Sequence, residues 1–319
     1  MKPKAKILCC GEALIDMIPI RNDQHGLAYL PCSGGAVFNT AIGLGRLGCD
    51  TAFLSGLSDD LFGNQLVKSL EESGVSSDLS PRCHRPTTLA FVELSNGQAR
   101  YAFYDENTAG RMFGPDDVPA IPSDIDVLFF GGISLCVEPC ACTYEMLAQR
   151  EASTRVVMLD PNIRPQFVKN EGEYRQRIET MLELSDIVKV SDEDLAWLCG
   201  AQNGIGDGLE EQANFLLEKG PSIIWVTLGS KGAAAFTRAG LSLQVTAPKT
   251  CVVDTVGAGD SFNAAILAKL AELDWLEKRK LRSIGESALR EVSSFATQVA
   301  AITVSRQGAN PPWRDELSV

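Results

Sequence analysis

The stretch DTVGAGDSF, residues 254–262, sets Gly257, Ala258 and Gly259 directly before an aspartate, Asp260. Small residues at a turn bare the main chain, and free N–H groups at the start of a helix seat an anion, with the helix dipole adding to their pull. The carboxylate that follows falls in the first helical turn, where the dipole favours its ionised form by about 0.3–1 kcal/mol. Such a carboxylate beside an anion seat can take a proton from a hydroxyl as that oxygen attacks phosphorus. The pattern therefore points to phosphoryl transfer onto an alcohol. A tight turn with a capping aspartate would use the same letters, so a second group of residues has to carry part of the case.

That group is SGGAVFNTAIGLGRLG, residues 33–48. Gly34 and Gly35 let a ligand approach the main chain, and Asn39, one turn later, offers an amide that both donates and accepts. Asp16, in GEALIDMI, adds an acceptor. Gly43, Gly45 and Gly48 are expected to permit close helix packing. Other nucleotide signatures are missing: a dinucleotide fingerprint needs glycine at 262, where the chain has Phe262, and no GxxxxGK[ST] loop occurs. A nicotinamide oxidoreductase is disfavoured on that ground.

These groups need a scaffold, and the apolar runs supply one. KILCCGE, DVLFFGG, RVVMLDPN, DIVKVSDED and SIIWVTLGS read as strands buried on both faces. Helix-like stretches lie between them: GNQLVKSLEESG, EYRQRIETMLELSD and LEEQANFLLEKG. The fold class is α/β, a mostly parallel sheet flanked by helices. CVVD reads as a strand end leading into a helix with Phe262, Ile266 and Leu270 on its apolar face. Segments near 16–33 and 87–107 are richer in β-branched and aromatic residues and read as a small antiparallel flap, with Ser95-Asn96-Gly97 as a hairpin turn. One domain spanning residues 1–319, with a lid, is expected. In parallel sheets ligands bind beyond the carboxyl ends of the strands, which here finish in Asp160-Pro161-Asn162, Ser191-Asp192-Glu193-Asp194 and Thr227-Leu228-Gly229.

Composition narrows the partners. The 319 residues carry a formal net charge of −12, which argues against a nucleic-acid surface. Gly11, Glu12 and Asp16 interrupt the first apolar run too early for a signal or membrane span, so no membrane partner and a cytoplasmic location are expected. Ten cysteines are expected as buried free thiols. Cys136, Cys140 and Cys142 lack a second ligand pair for zinc. The partner expected is a small molecule, and a homodimer is permitted without being specified.

GGAVFNTAIGLGRLG resembles the first signature of the PfkB, or ribokinase-like, carbohydrate kinases, and DTVGAGDSFNA resembles their second. Order, separation and flap segments match across nearly the whole chain. Within the family, CCGEALIDMIP, YAFYDENTAGRM, LDPNIRP, VKVSDED and TVSRQGANPP are most similar to bacterial fructokinases. The resemblance implies a β lid closing over a sugar, ATP as phosphoryl donor, Mg²⁺ on its phosphates, Asp260 as general base and Gly257–Gly259 as anion hole. It implies Asp16, Gly35 and Asn39 as sugar contacts, and Tyr101 or Phe103 packing on the sugar's apolar face. Thr227, Gly229 and Gly232 match the ATP loop. Ser191 and Asp194 stand where the family commonly has N-x-x-E. Asp254, with Val256, Thr303 and Gly308, matches a monovalent-cation site, implying K⁺.

Arg164, in DPNIRP, suits a phosphate or a substrate carboxylate, with an ion pair to Asp160 as the alternative. The substrate readings are fructose, then 2-keto-3-deoxygluconate, another neutral sugar such as ribose, or a nucleoside. Asp105 and Glu106 in the lid favour a neutral one. A non-catalytic sugar-binding protein would require a damaged base or anion hole, and Gly257, Ala258, Gly259 and Asp260 are all in place.

Overall fold

The computed structural model describes residues 5–22, 26–95, 98–200, 206 and 208–317. The five apolar runs become strands of one nine-stranded sheet. From one edge it runs Ser242–Val245, Ala233–Thr237, Ile223–Thr227, Ile187–Ser191, Val156–Asp160, Ile125–Gly131, Lys6–Cys10, Asp50–Leu54 and Val75–Ser76. Every ladder from Ile223–Thr227 to Val75–Ser76 is parallel, and the two ladders at the Ser242 edge are antiparallel.

The strands show no polar alternation because helices cover both faces. Ile7, Cys9, Met158 and Trp225 pack into one layer with helices Ala36–Arg46, Ala258–Glu272 and Glu286–Val304. Leu8, Cys10, Leu159 and Val190 pack into the other with Cys140–Glu151, Glu171–Leu184 and Leu209–Lys219. Among the described residues no helix is long and apolar enough to cross a membrane.

The flap segments form a second sheet in the order Gly26–Gly34, Leu14–Asn22, Leu89–Ser95, Gln98–Tyr104. It is mixed rather than antiparallel throughout. Two antiparallel hairpins meet in a parallel ladder that aligns Ile15, Asp16 and Met17 with Leu89, Ala90 and Phe91. Asn96 and Gly97 of the expected hairpin turn lie outside the described residues. Register puts Cys32, Asp16, Ala90 and Phe103 in one row, hence on one face of the lid.

Three expectations are corrected. CVVD forms no strand: Val252 and Val253 are exposed, and the segment is tied to the body by Val253 and Asp254 N–H groups that share Val304 O. β-branched letters make a strand only where a partner edge exists. A Cβ added at Gly48 would meet no atom within 4 Å, and its φ of +80° makes it a turn glycine after the helix, while Gly43 and Gly45 do face close neighbours. The cysteines are all free, yet Cys142 and Cys251 are exposed and only Cys9, Cys10, Cys140 and Cys199 are buried.

A Cβ at Gly45 would lie 2.1 Å from Ser73 O and 2.7 Å from Val75 Cγ2. Gly45→Ala is expected to lower stability by about 1–3 kcal/mol, the usual cost of overpacking. A lowered urea midpoint with unchanged slope checks it.

Candidate active site

Two helices begin at the same place. Ala36–Arg46 starts after Gly35, whose φ of 111° excludes an ordinary side chain, and Ala258–Glu272 starts after Gly257, whose φ is 76°. The helices cross closely because a Cβ at Gly43 would sit 2.7 Å from Ala264 Cβ. At their shared start the Asn39 amide Nδ2 donates to Asp260 Oδ2 at 2.9 Å, and Thr40 Oγ1 donates to Asp260 O at 3.3 Å. The N–H of Ala258 turns back to Thr255 O at 3.3 Å. Those of Gly257 and Gly259 have no acceptor among the described residues, so two of the three expected donors are left unpaired there.

Asp260 is 8% exposed and makes no ion pair among the described residues. Burial pushes its carboxyl up to about 7; the Asn39 bond and Lys189 act against this, Asp160 and Glu12 with it. A carboxylate poised there exchanges protons near neutrality, which suits a general base.

Asp16 sits on the lid's inward row, its carboxyl pushed up to about 6 by burial. Gly34 makes room for it: a Cβ there would lie 2.2 Å from Asp16 Oδ2. Phe103, in the same row, meets the ring of Phe167 edge-on, centroids 4.5 Å apart, and so touches the turn Pro165–Phe167 beyond the central sheet. The Tyr101 side chain lies outside the described residues. Beside this contact opens a cavity of about 560 Å³ lined by Leu89, Phe103, Ile133, Val137 and Phe167. A cavity of about 620 Å³ lies at the opposite edge, near Ala5, Cys49 and Asp126, where the strands begin. Volume alone therefore does not mark the site.

The remaining expected residues are placed as follows. Asp160 is taken by Lys189 and Asn263, so Arg164 does not pair with it; Arg164 is exposed, its Nη1 bonded to Ile163 O. Ser191 caps helix Asp192–Cys199, and Asp194 is spent on backbone, accepting from Ser191 N and Ile163 N. It braces two strand ends, each carboxylate oxygen accepting one backbone N–H. Thr227 ends its strand beside the turn Gly229–Lys231, and Gly232, at φ 101°, lies where a Cβ would meet Val245 O at 2.0 Å. Asp254 joins two loops by accepting from Val256 N at 3.0 Å and Gly308 N at 2.9 Å. The Thr303 hydroxyl points inward, to Ser261 Oγ at 2.9 Å. The loop after Gly308 packs on the Gly257–Gly259 turn: a Cβ on Gly257 would strike Ala309, and Arg46 bonds Asn310 Oδ1 and Pro311 O.

Comparison with known proteins gives the same reading. The family described as pfkB family carbohydrate kinase matches residues 4–316.

The chain belongs to that family.

It is 48% identical to a fructokinase of Rhizobium leguminosarum bv. trifolii over 89% of this chain and 85% of the relative. A probable fructokinase-4 of Arabidopsis thaliana is 34% identical over 99% and 96%. The crystal structure of a fructokinase with bound ATP from Xylella fastidiosa superposes with a TM-score of 0.87 at 30% identity, covering 96% of this chain and 94% of that one. Membership makes the chain a sugar phosphotransferase, and the buried carboxylate beside free N–H groups has the chemistry that reaction needs.

Four residues of the site escaped the sequence reading as functional groups. Glu12 accepts from Ala36 N at 3.0 Å and Ser134 N at 3.2 Å, tying the Gly34–Gly35 turn to the strand end at Gly131. Lys189, Asp160 and Asn263 form a buried array under the Asp260 helix. A lysine inside the apolar run DIVKV was the signal available for this array; Glu12 gave none.

Asp260 protonates as pH falls through about 7, and Asp16 through about 6. The kcat of a base with this value is expected to fall below pH 7, and sugar KM to rise as Asp16 loses its charge; initial rates against pH check both. The folded carboxyl of Asp260 sits above its unfolded value of 3.8, so its charge destabilises the fold at high pH and the penalty fades as pH drops. Asp260→Asn is accordingly expected to raise Tm at pH 8, with the gain fading towards pH 4, as read by thermal unfolding at several pH values.

Proposed function

We propose that the protein is an ATP-dependent fructokinase that transfers the γ-phosphoryl group of MgATP to the 6-hydroxyl of D-fructose, giving fructose 6-phosphate and ADP. The observation that carries this reading is the desolvated Asp260 carboxylate held at 2.9 Å by Asn39 between two glycine-opened helix starts. The fructokinase relatives at 48% and 34% identity support the choice of sugar.

In this reading fructose lies between the lid and the paired helices. Asp16 and Asn39 accept and donate to its hydroxyls, Gly34 and Gly35 allow the close approach, and Phe103 covers its apolar face, with Tyr101 on the same strand. Asp260 takes the proton of the attacking hydroxyl while the N–H groups of Gly257 and Gly259, with Ala258 between them, hold the oxygens of the group in flight. Arg164, which pairs with no acid among the described residues, reaches for phosphate. Thr227, Gly229, Gly232 and Ser191 flank the nucleotide, with Asp194 bracing the loop. Closing the lid excludes water as a competing acceptor.

The nucleotide is taken as MgATP, whose metal would neutralise phosphate charge. The Asp254 carboxylate with main-chain groups of Val256, Thr303 and Gly308 offers hard oxygen donors and fits K⁺. Lid and sheet work as one domain, and ten free thiols favour a reducing cytoplasm.

Among fructose, glucose, ribose, 2-keto-3-deoxygluconate and adenosine, fructose is expected to give the highest kcat/KM in ADP-release assays; preference for another acceptor would overturn the sugar assignment. Asp260→Asn is expected to keep sugar binding and lose roughly 10²-fold or more in turnover. Near-normal turnover would remove Asp260 from the mechanism.

A further inference from the structure

Lys189 stands in the centre of the sheet, 4% exposed. Its strand neighbours Val188 and Val190 pack into the opposite layer, so it faces the layer that holds the Asp260 helix. Its ammonium lies 3.0 Å from Asp160 Oδ2, and that same oxygen accepts from Asn263 Nδ2 at 2.6 Å. On the other side, a Cβ built on Gly259 would fall 2.9 Å from Lys189 Nζ. Gly259 puts no side chain of its own between the ammonium and the main chain of the Gly257–Gly259 turn.

Stability does not account for this arrangement. A buried ion pair recovers its desolvation cost at best, and apolar residues of similar size do as well or better. The same face already carries Met158 and Trp225. Nor does local geometry account for Gly259, which lies in the first turn of the helix Ala258–Glu272 and has no left-handed φ. What the missing Cβ provides is room for the ammonium.

We propose that Lys189 is the positioning residue of the transfer site: its ammonium, fixed by Asp160 and admitted by Gly259, backs the Gly257–Gly259 turn with positive charge that the phosphoryl group meets through one layer of main chain. Asp260 is faced by Asn39 from the first helix, by Asp160 and Lys189 from the sheet, and by Glu12 from the end of Lys6–Cys10. Lys189 is faced by Asp160, Asp194 and Asp260. Burial alone would lower the ammonium's proton affinity, yet these carboxylates raise it above the usual lysine value, so the charge is retained. The proposal rests on Asp260 as base, and the two fail separately: an active Asp260→Asn sinks the base, whereas an inactive Asp260→Asn with a normal Lys189→Met sinks only this inference.

The test is steady-state kinetics against pH on Lys189→Met, Asp160→Asn, Gly259→Ala and two double variants. Lys189→Met is expected to lower kcat by about tenfold or more with the sugar KM unchanged. Its acid limb should move to higher pH, and that of Asp160→Asn to lower pH, because the two charges act on Asp260 with opposite sign. Gly259→Ala displaces the ammonium, so adding it to Lys189→Met should cost little further. Lys189→Met/Asp160→Asn leaves no buried charge from the pair, preserves the fold if the single variant does not, and should stay slow. Wild-type kcat in that double variant, or an unmoved acid limb with only Tm lowered in Lys189→Met, would overturn the proposal.

Discussion

The hydrogen bond between Asn39 and Asp260 joins residues from opposite ends of the chain, and it exists because two helices start at one point above the sheet. Each start needs a glycine in a conformation closed to other residues, and the crossing needs a third glycine, Gly43, to let the axes approach. If either helix shifted by a turn, the amide and the carboxylate would separate. The sheet order, the packing of both layers and the clamp of Arg46 on the loop at Asn310 all serve to fix that meeting.

The meeting has an energetic side. Asp260 is held away from water with one neutral donor on its side chain, an arrangement that favours the protonated form. The fold tolerates an unfavourable charge at the point where, in the proposed reaction, a proton would be received. Glu12 adds to that tension while anchoring the first glycine turn through Ala36 N. The cost lies in lost solvation of the carboxylate.

Much of this was legible in the letters. Runs such as DVLFFGG and RVVMLD declared strands covered on both faces, and the two glycine turns announced where backbone would be bare. What could not be read depended on partners distant in sequence. Lys189 looks like an irregularity in an apolar strand until Asp160 and Gly259 are seen beside it. CVVD had strand-forming residues without an edge to pair with. The S-x-x-D spacing at Ser191 and Asp194 is a capping box in its own right.

The lid owes its inward chemistry to register. Asp16 and Phe103 share a row through Ala90, and a slip of one residue in either ladder would put them on opposite faces. Strands built this way can exchange side chains freely on their outer face, yet cannot gain or lose a single residue without inverting the whole set. Divergence of acceptor preference along such a scaffold is confined to substitution, with length changes relegated to the bends between strands.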